Sequence, residues 1–438
     1  MPTRSIVFSA ALVAGFVSTV GTETSAPGSF SADKLLMVRS ALESAIAGGE
    51  LPGVVTLVWR KGALAQLNAL GWRDIERKLP MEADTIFRIA SMSKPVISVA
   101  ALMLVEEGTL ALHDPITKWV PEFSNMRVLR RADGPFDETD PAPRAITVED
   151  LMTHRSGLAY PYTTTGPLAA ALEKTIGSTI QSGLAPDEWI KALAALPLAY
   201  APGRQFQYGV STDVLGFIIG RASGTNLRDF LLTRVLGPLG MSDTDFWIPP
   251  AKRNRVAVVY RPGPGRTFSP VDQPGFAGAT PPAFTSGGAG LVTTASDYLT
   301  FARMLLNKGE VNGVRLLKPE TVQMLMTNRL TPEQRQIPFL GLPMWRFQGF
   351  GLGVSMVTNA EALTKAGVGA GSNGAFGWPG AFGGWWQADS LENMVAIFLP
   401  QMSPRLPDPT AVTSIDQVMP TAGTMRTFQK LLYDAIQR

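Results

Sequence analysis

Ser91 and Lys94 stand three residues apart in Ile89-Ala90-Ser91-Met92-Ser93-Lys94-Pro95-Val96. A short strand-like run (Ile86, Phe87, Arg88, Ile89) precedes them, and a helix-like run (Val96, Val99, Ala100, Met103, Leu104) follows. Apolar residues at helical spacing after a strand, with Pro95 in a first turn where its missing N–H costs nothing, place Ser91 at a helix N-terminus and Lys94 on the same face. A serine hydroxyl is a poor nucleophile until a neighbour takes its proton, and a lysine one turn away, partly desolvated among polar groups, is suited to help. The helix N-terminus adds free N–H groups and partial positive charge where an oxyanion would form. The plain alternative is a helix cap with a solvated lysine. Ser31-Ala32-Asp33-Lys34 has the same spacing, and there the cap explains the serine fully.

The rest of the composition narrows the choice of base. Only two histidines occur. His113, in Leu112-His113-Asp114-Pro115, reads as surface structure, and His154, in Thr153-His154-Arg155-Ser156-Gly157-Leu158, as a structural hydrogen-bonder near a helix end. No Gly-x-Ser-x-Gly elbow is present, which argues against a Ser-His-Asp enzyme of the α/β-hydrolase kind. A serine enzyme built from this chain therefore needs Lys or Tyr as its base. Tyr208 is the tyrosine candidate: it follows the Pro202-Gly203 turn and precedes a helical run (Val214, Leu215, Phe217, Ile218, Ile219). A phenol beside an ammonium group can lose its proton unusually easily, although buried tyrosines often serve packing alone. The chain has no cysteine, which removes disulfides, thiolate catalysis and Cys-based zinc sites. No metal site is expected.

The elements that must position these groups follow from patterning. Arg4 and the apolar stretch Ile6–Val20 resemble a secretory signal, so residues 1–29 read as a leader and the protein as exported (periplasmic or secreted), or otherwise cytoplasmic. No membrane span is expected in the mature chain. Ser31 caps a helix with Leu35, Val38, Leu42, Ala45 and Ile46 on one face, ended by Gly48-Gly49. Val54–Trp59 and Ala63–Leu70 form a hairpin about Lys61-Gly62. A mainly helical segment with long loops follows, of which Asn125–Arg144 is the most obvious insertion. Helices return at Ser296–Leu306 and Pro319–Met326, and Gly384–Asp389 and Met394–Leu399 are two strands. A last helix carries Phe428, Leu431, Leu432, Ala435 and Ile436. Strands, helices, then strands imply an α+β fold whose sheet is built from both chain ends and encloses a helical insertion. The chain is long enough for a large core at 438 residues and 45% hydrophobic, and its net charge of +3 gives no footprint for nucleic acid.

Taken together, Ser91-Met92-Ser93-Lys94, the Pro-Gly-x-x-Phe-x-Tyr208 turn, the Thr153–Leu158 stretch, Ser286-Gly287-Gly288-Ala289-Gly290-Leu291 and the closing strand pair resemble the serine β-lactamase superfamily. Within it the chain looks most like the family VIII carboxylesterases, related to class C β-lactamases, from about residue 30 onward. The resemblance implies a β-lactamase-like fold: an α/β domain (30–90 and 286–438), with its antiparallel sheet, packed on a mainly helical domain (91–285), and a site in the cleft between them. It implies that Ser91 attacks an ester carbonyl to form an acyl-enzyme, that Lys94 and Tyr208 share the proton traffic, and that no cofactor is required. By the same analogy the backbone N–H groups of Ser91 and Ala381 form the oxyanion hole.

Departures from the pattern separate the branches. Val210 stands where β-lactamases of this type carry Asn, and Lys-Thr-Gly is absent. Lys365-Ala366-Gly367 is its nearest imitation and reads as a loop. Trp378-Pro379-Gly380 fits the Trp-Gly-Gly of the esterases better, with Trp378, Gly380 and Phe382 as substrate-binding residues. An indole in place of a cation offers apolar surface to a neutral ester. Pro379 removes a donor from what reads as an edge strand. The resemblance therefore favours a carboxylesterase acting on small-molecule esters of short to medium chain, with weak β-lactam turnover compatible. The same fold also serves a β-lactamase, D-Ala-peptide hydrolase or acyltransferase, or a non-catalytic β-lactam-binding or sensor protein.

Overall fold

The computed structural model describes residues 30–177, 182–272, 276, 278–405 and 412–437. Residues 1–29, which the sequence reads as a leader, therefore lie outside the described residues.

Helix α1 (Ala32–Ala47) starts where the Ser31 side chain accepts from the Lys34 N–H, and it stops at Gly48. Strands β1 (Gly53–Arg60) and β2 (Ala63–Asp74) form the expected hairpin, with a bulge at Val58/Trp59, and β3 (Leu79–Pro80) pairs with the far end of β2. Helix α2 (Ser93–Glu106) is buried on every side from Ser93 to Leu104, so the apolar stripe read from its sequence is one face of a core helix. Short α3 (Val148–Met152) and longer α4 (Ser211–Ser223) lie in the helical segment, and α5 (Ala295–Leu306) follows it. Strands β4 (Gln348–Phe350), β5 (Ser355–Val357), β6 (Phe376–Gly377), β7 (Trp385–Asp389) and β8 (Met394–Leu399) and helix α6 (Ala422–Asp434) complete the frame.

The main sheet runs β4-β5-β6-β7-β8-β1-β2-β3, with each neighbouring pair antiparallel. Both chain ends build it, as the order of elements implies. Its central strands are apolar on both faces and divide their side chains with period two. Val54 and Val58 of β1, with Met394, Ala396 and Phe398 of β8, join Val38, Leu42, Phe428 and Leu432 in the layer of α1 and α6. Val55 and Leu57, with Val395, Ile397 and Leu399, face the other way into the large core that continues through α2, α4 and α5. The Ser31 N–H donates to the Ala435 carbonyl at 2.9 Å, which ties the first helix to the last.

Three readings need correction and one, the closing strand pair, is extended. The Asn125–Arg144 insertion holds a small hairpin, Arg127–Leu129 paired with Thr139–Pro141, anchored when the Leu129 N–H donates to the Leu198 carbonyl. The closing pair β7–β8 is joined by β4, β5 and β6, whose runs of two or three residues are too short to show alternation. Pro379 is not on an edge strand, because β6 lies between β5 and β7 and ends before it. Lys365 ends a short helix, Ala360–Lys365, with its side chain in solvent.

Candidate active site

The turn that carries Ser91 is pinned from two sides. Phe87–Arg88 pairs with Val292–Thr293, the Ile89 N–H donates to the Leu291 carbonyl at 3.1 Å, and the Leu291 N–H donates to the Ser93 hydroxyl at 3.1 Å. Ser91 itself lies in one turn of 3-10 helix, Ala90–Met92, just ahead of α2, so the helix proper begins two residues later than its position would suggest. Ala90 holds a φ of +43°, a left-handed conformation that costs a residue with a side chain about 1 kcal/mol.

Tyr208 is brought to this turn by the Thr153–Leu158 stretch. The Gln207 N–H donates to the His154 carbonyl at 2.7 Å, and the Gly203 N–H donates to the Arg155 carbonyl at 2.7 Å. Ser156 and Ser211 share a hydroxyl–hydroxyl bond at 2.8 Å. Gly209 lies so close to the backbone of Leu158 that a Cβ would stand 2.1 Å from its carbonyl oxygen. His154 is structural, as expected. Its Nδ1 faces the Gly209 N–H at 3.4 Å, and burial, followed by the charge of Lys94, holds it well below the usual imidazole range and hence neutral. His113 is 90% exposed and takes no part.

Ser91, Lys94 and Tyr208 meet as the sequence implied. The Tyr208 hydroxyl donates to Ser91 Oγ at 2.7 Å, and Lys94 Nζ donates to the same oxygen at 3.1 Å. Lys94 is fully buried, and its other donors go to the Tyr160 hydroxyl at 3.2 Å and the Gly288 carbonyl at 2.7 Å. The ammonium nitrogen also lies 4.6 Å from the centre of the Tyr208 ring. Ser91 is 9% exposed.

Gly380 packs on the Ile89 carbonyl, where a Cβ would come to 2.3 Å, and this close approach sets Ala381 beside the nucleophile turn. Among the described residues, neither the Ser91 nor the Ala381 N–H donates to a backbone carbonyl. Both donors are therefore unspent, as an oxyanion hole requires. Phe382 packs with Ala90, Val259 and Ala289, which makes it a prop behind the turn.

Trp378, expected to offer apolar surface to a substrate, is packed on several sides by the protein itself. It is 2% exposed and stands among Phe339, Phe350 and Tyr208, with its Nε1–H donating to the Tyr208 oxygen at 3.2 Å. Its surface is spent on packing, and its polar atom on the phenol. Val210 caps α4 and is fully buried.

Three residues of the site were not singled out from the sequence: Tyr160, Asp213 and Gly288. Gly288 falls inside the quoted Ser286–Leu291 stretch and Tyr160 lies two residues beyond the Thr153–Leu158 stretch, whereas nothing local marks Asp213. Asp213 lies in the first turn of α4, fully buried, and accepts from the Ser286 hydroxyl at 2.5 Å and the Gly288 N–H at 3.1 Å. Burial pushes its carboxyl up, against the opposing pull of Ser286 and Lys94. Among the described residues no group of three or more His, Asp and Glu could hold a metal ion, and no helix is long and apolar enough to cross a membrane.

Comparison with known proteins bears on the family and the fold. Protein Rv1367c of Mycobacterium tuberculosis is 44% identical over 385 residues, covering 88% of this chain and 92% of that protein. Esterase EstB of Burkholderia gladioli is 35% identical over 294 residues, covering 62% of this chain and 71% of the relative. The solved structure of EstCE1, described as a hydrolase with promiscuous acyltransferase activity, shares the fold at a TM-score of 0.73 and 24% identity, over 91% of this chain and 98% of that one. The beta-lactamase family model matches residues 38–416, and with the sheet and the motif order in place the chain belongs to that family, within the superfamily of serine β-lactamases and penicillin-binding proteins.

Proposed function

We propose that the protein is a serine carboxylesterase that hydrolyses short- to medium-chain esters through an acyl-enzyme on Ser91. The observation that carries this is the Ser91 hydroxyl held between the Tyr208 oxygen at 2.7 Å and Lys94 Nζ at 3.1 Å. A nucleophile within hydrogen-bond reach of its base, with a cation beside it, is the arrangement covalent acyl transfer needs.

In the first half-reaction Ser91 Oγ bonds to the ester carbonyl carbon, and its proton passes to the Tyr208–Lys94 pair. The carbonyl oxygen becomes an oxyanion facing the Ser91 and Ala381 N–H groups. The tetrahedral species collapses as the C–O bond to the alcohol breaks, and the alcohol leaves with the proton just taken. Water then repeats the sequence from the other side and releases the acid. An alcohol in place of that water gives an ester instead, so the same acyl-enzyme serves acyl transfer. The description of EstCE1 as both hydrolase and acyltransferase favours keeping this second outcome. The name of EstB and the absence of a Lys-Thr-Gly cation favour esters over β-lactams.

The test is turnover of p-nitrophenyl acetate, butyrate and octanoate beside nitrocefin, for wild type and Ser91→Ala. Ester turnover lost in the variant, with weak nitrocefin cleavage, supports the esterase. Nitrocefin as the far better substrate moves the protein to the β-lactamase branch, and equal rates in both proteins remove Ser91 from the chemistry.

A further inference from the structure

Lys94 presents a problem of charge. It is wholly buried, yet the three groups that accept from its Nζ (Ser91, Tyr160 and Gly288) are all neutral. A buried charge without compensation costs several kcal/mol even after relaxation, so a fold that keeps one supplies an opposite charge nearby.

Both of the partners of Lys94 that lie away from Ser91 lead to the same carboxylate. Gly288 accepts from Lys94 through its C=O, and its N–H donates to Asp213 Oδ1. Tyr160 accepts from Lys94 through its oxygen, while its hydroxyl faces Asp213 Oδ2, which is buried and has no hydrogen-bond partner of ordinary geometry. A Cβ at Gly288 would come within 2.6 Å of Asp213 Oδ2 and 2.8 Å of the Tyr160 oxygen, so those two oxygens flank one point that only glycine leaves open. Ser286 adds a third donor aimed at Asp213. Two donors on Oδ1 and a hydroxyl facing Oδ2 suit an ionised carboxylate.

We propose that Asp213 is the buried counter-charge of Lys94, coupled to it through the Tyr160 hydroxyl and through Gly288, and is thereby a positioning residue for the chemistry at Ser91. This rests on Ser91 being the nucleophile. The other titratable groups facing this network are His154 beyond α3, Tyr160 and Tyr162 on the following loop, and Tyr208 ahead of α4. His154 is held neutral and the tyrosines Tyr160 and Tyr162 are pushed up by burial first, so neither His154 nor those two phenols supplies the missing negative charge. An aspartate in the first turn of a helix also favours the helix dipole, but that role makes no demand on the pH dependence of Ser91.

The experiment is the rate at which a fluorophosphonate probe labels Ser91, followed against pH in the full chain. In this step the Ser91 Oγ–P bond forms, fluoride leaves with the P–F electrons, and the site takes the serine proton, so no particular ester is needed. Removing a negative charge makes proton loss from the site easier. In Asp213→Asn both limbs of the profile therefore move to lower pH by about two to three units, the size expected for loss of a unit charge about 4–6 Å away at an effective dielectric of about 20. Tyr160→Phe cuts one of the two links and moves them the same way by less. Unmoved limbs with a uniform loss of rate would make Asp213 a structural residue and overturn the proposal. If Asp213→Asn does not fold, unmoved limbs in Tyr160→Phe overturn it equally. A wild type that is not labelled, or a Ser91→Ala variant labelled as fast, overturns the Ser91 reading and this inference with it.

Discussion

The indole N–H of Trp378 donates to the Tyr208 oxygen across 3.2 Å. An indole nitrogen only donates, so it fixes the direction from which the phenol oxygen accepts and leaves the phenol's own proton for Ser91 Oγ. Trp378→Phe keeps most of the ring and removes this donor. Its kcat for ester turnover should fall about tenfold, the value of one hydrogen bond to a reacting group, with KM changed by less than about threefold. Steady-state kinetics on p-nitrophenyl butyrate decides: a raised KM at unchanged kcat would make the indole a substrate wall after all.

Tyr208→Phe removes the nearest partner of the Ser91 hydroxyl without emptying any volume. General acid–base groups contribute about 10² to 10⁴ in rate, and kcat/KM should drop within that range while thermal stability stays close to wild type. A loss smaller than about tenfold would assign the proton transfer to Lys94 alone.

Gly380→Ala tests the seating of the oxyanion turn. The added Cβ meets the Ile89 backbone oxygen at 2.3 Å, and backbone cannot swing aside as a flexible side chain can. We expect about 1–3 kcal/mol of destabilisation together with a loss of acylation rate, because Ala381 must move away from Ser91. Gly183→Ala, whose Cβ meets nothing within 4 Å, is the control. Full activity in Gly380→Ala would show that Ala381 is not part of the hole.

His154 makes the fold sensitive to mild acid. Its folded-state pKa lies well below 6.5, whereas the unfolded chain takes up the proton near that value. The unfolded state therefore binds more protons as pH falls below about 6.5, and stability is lost in that direction by about 1.4 kcal/mol per pH unit. Urea unfolding between pH 7 and pH 5 should show this slope, reduced in His154→Gln, which keeps an acceptor for the Gly209 N–H. His113→Ala, at a side chain 90% exposed, should leave the slope as it is. Equal slopes in wild type and His154→Gln would remove His154 as the cause.

Much of the frame was legible because its signals are local. The Ser31 cap, the hairpin about Lys61-Gly62, the β7–β8 pair and the stripe of α6 follow from period and punctuation, and each stands where the pattern put it, except that Ala435 and Ile436 lie past the end of α6. The sheet strands of two or three residues and the Arg127–Pro141 hairpin were missed for the converse reason: their pairing depends on distant partners, and so few residues cannot show alternation. Trp378 was legible only in part. Composition marks an indole as apolar surface, but whether that surface faces a ligand or a neighbour depends on packing, and here Phe339, Phe350 and Tyr208 take it.

By itself the sequence determined that a serine and a lysine share one turn at the head of a buried helix, that the chain's two ends build one sheet, and that histidine and cysteine chemistry are unavailable to it in any quantity. Helical and strand periodicity are consequences of covalent geometry and apply before any tertiary contact forms. Only the tertiary structure decided that Tyr208, 117 residues beyond Ser91, reaches its hydroxyl, that Trp378 holds that tyrosine, and that Asp213 stands behind Lys94. Hydrogen bonds between segments so far apart are set by how cores pack and by where a glycine lets two backbones meet, as Gly288 and Gly380 do here.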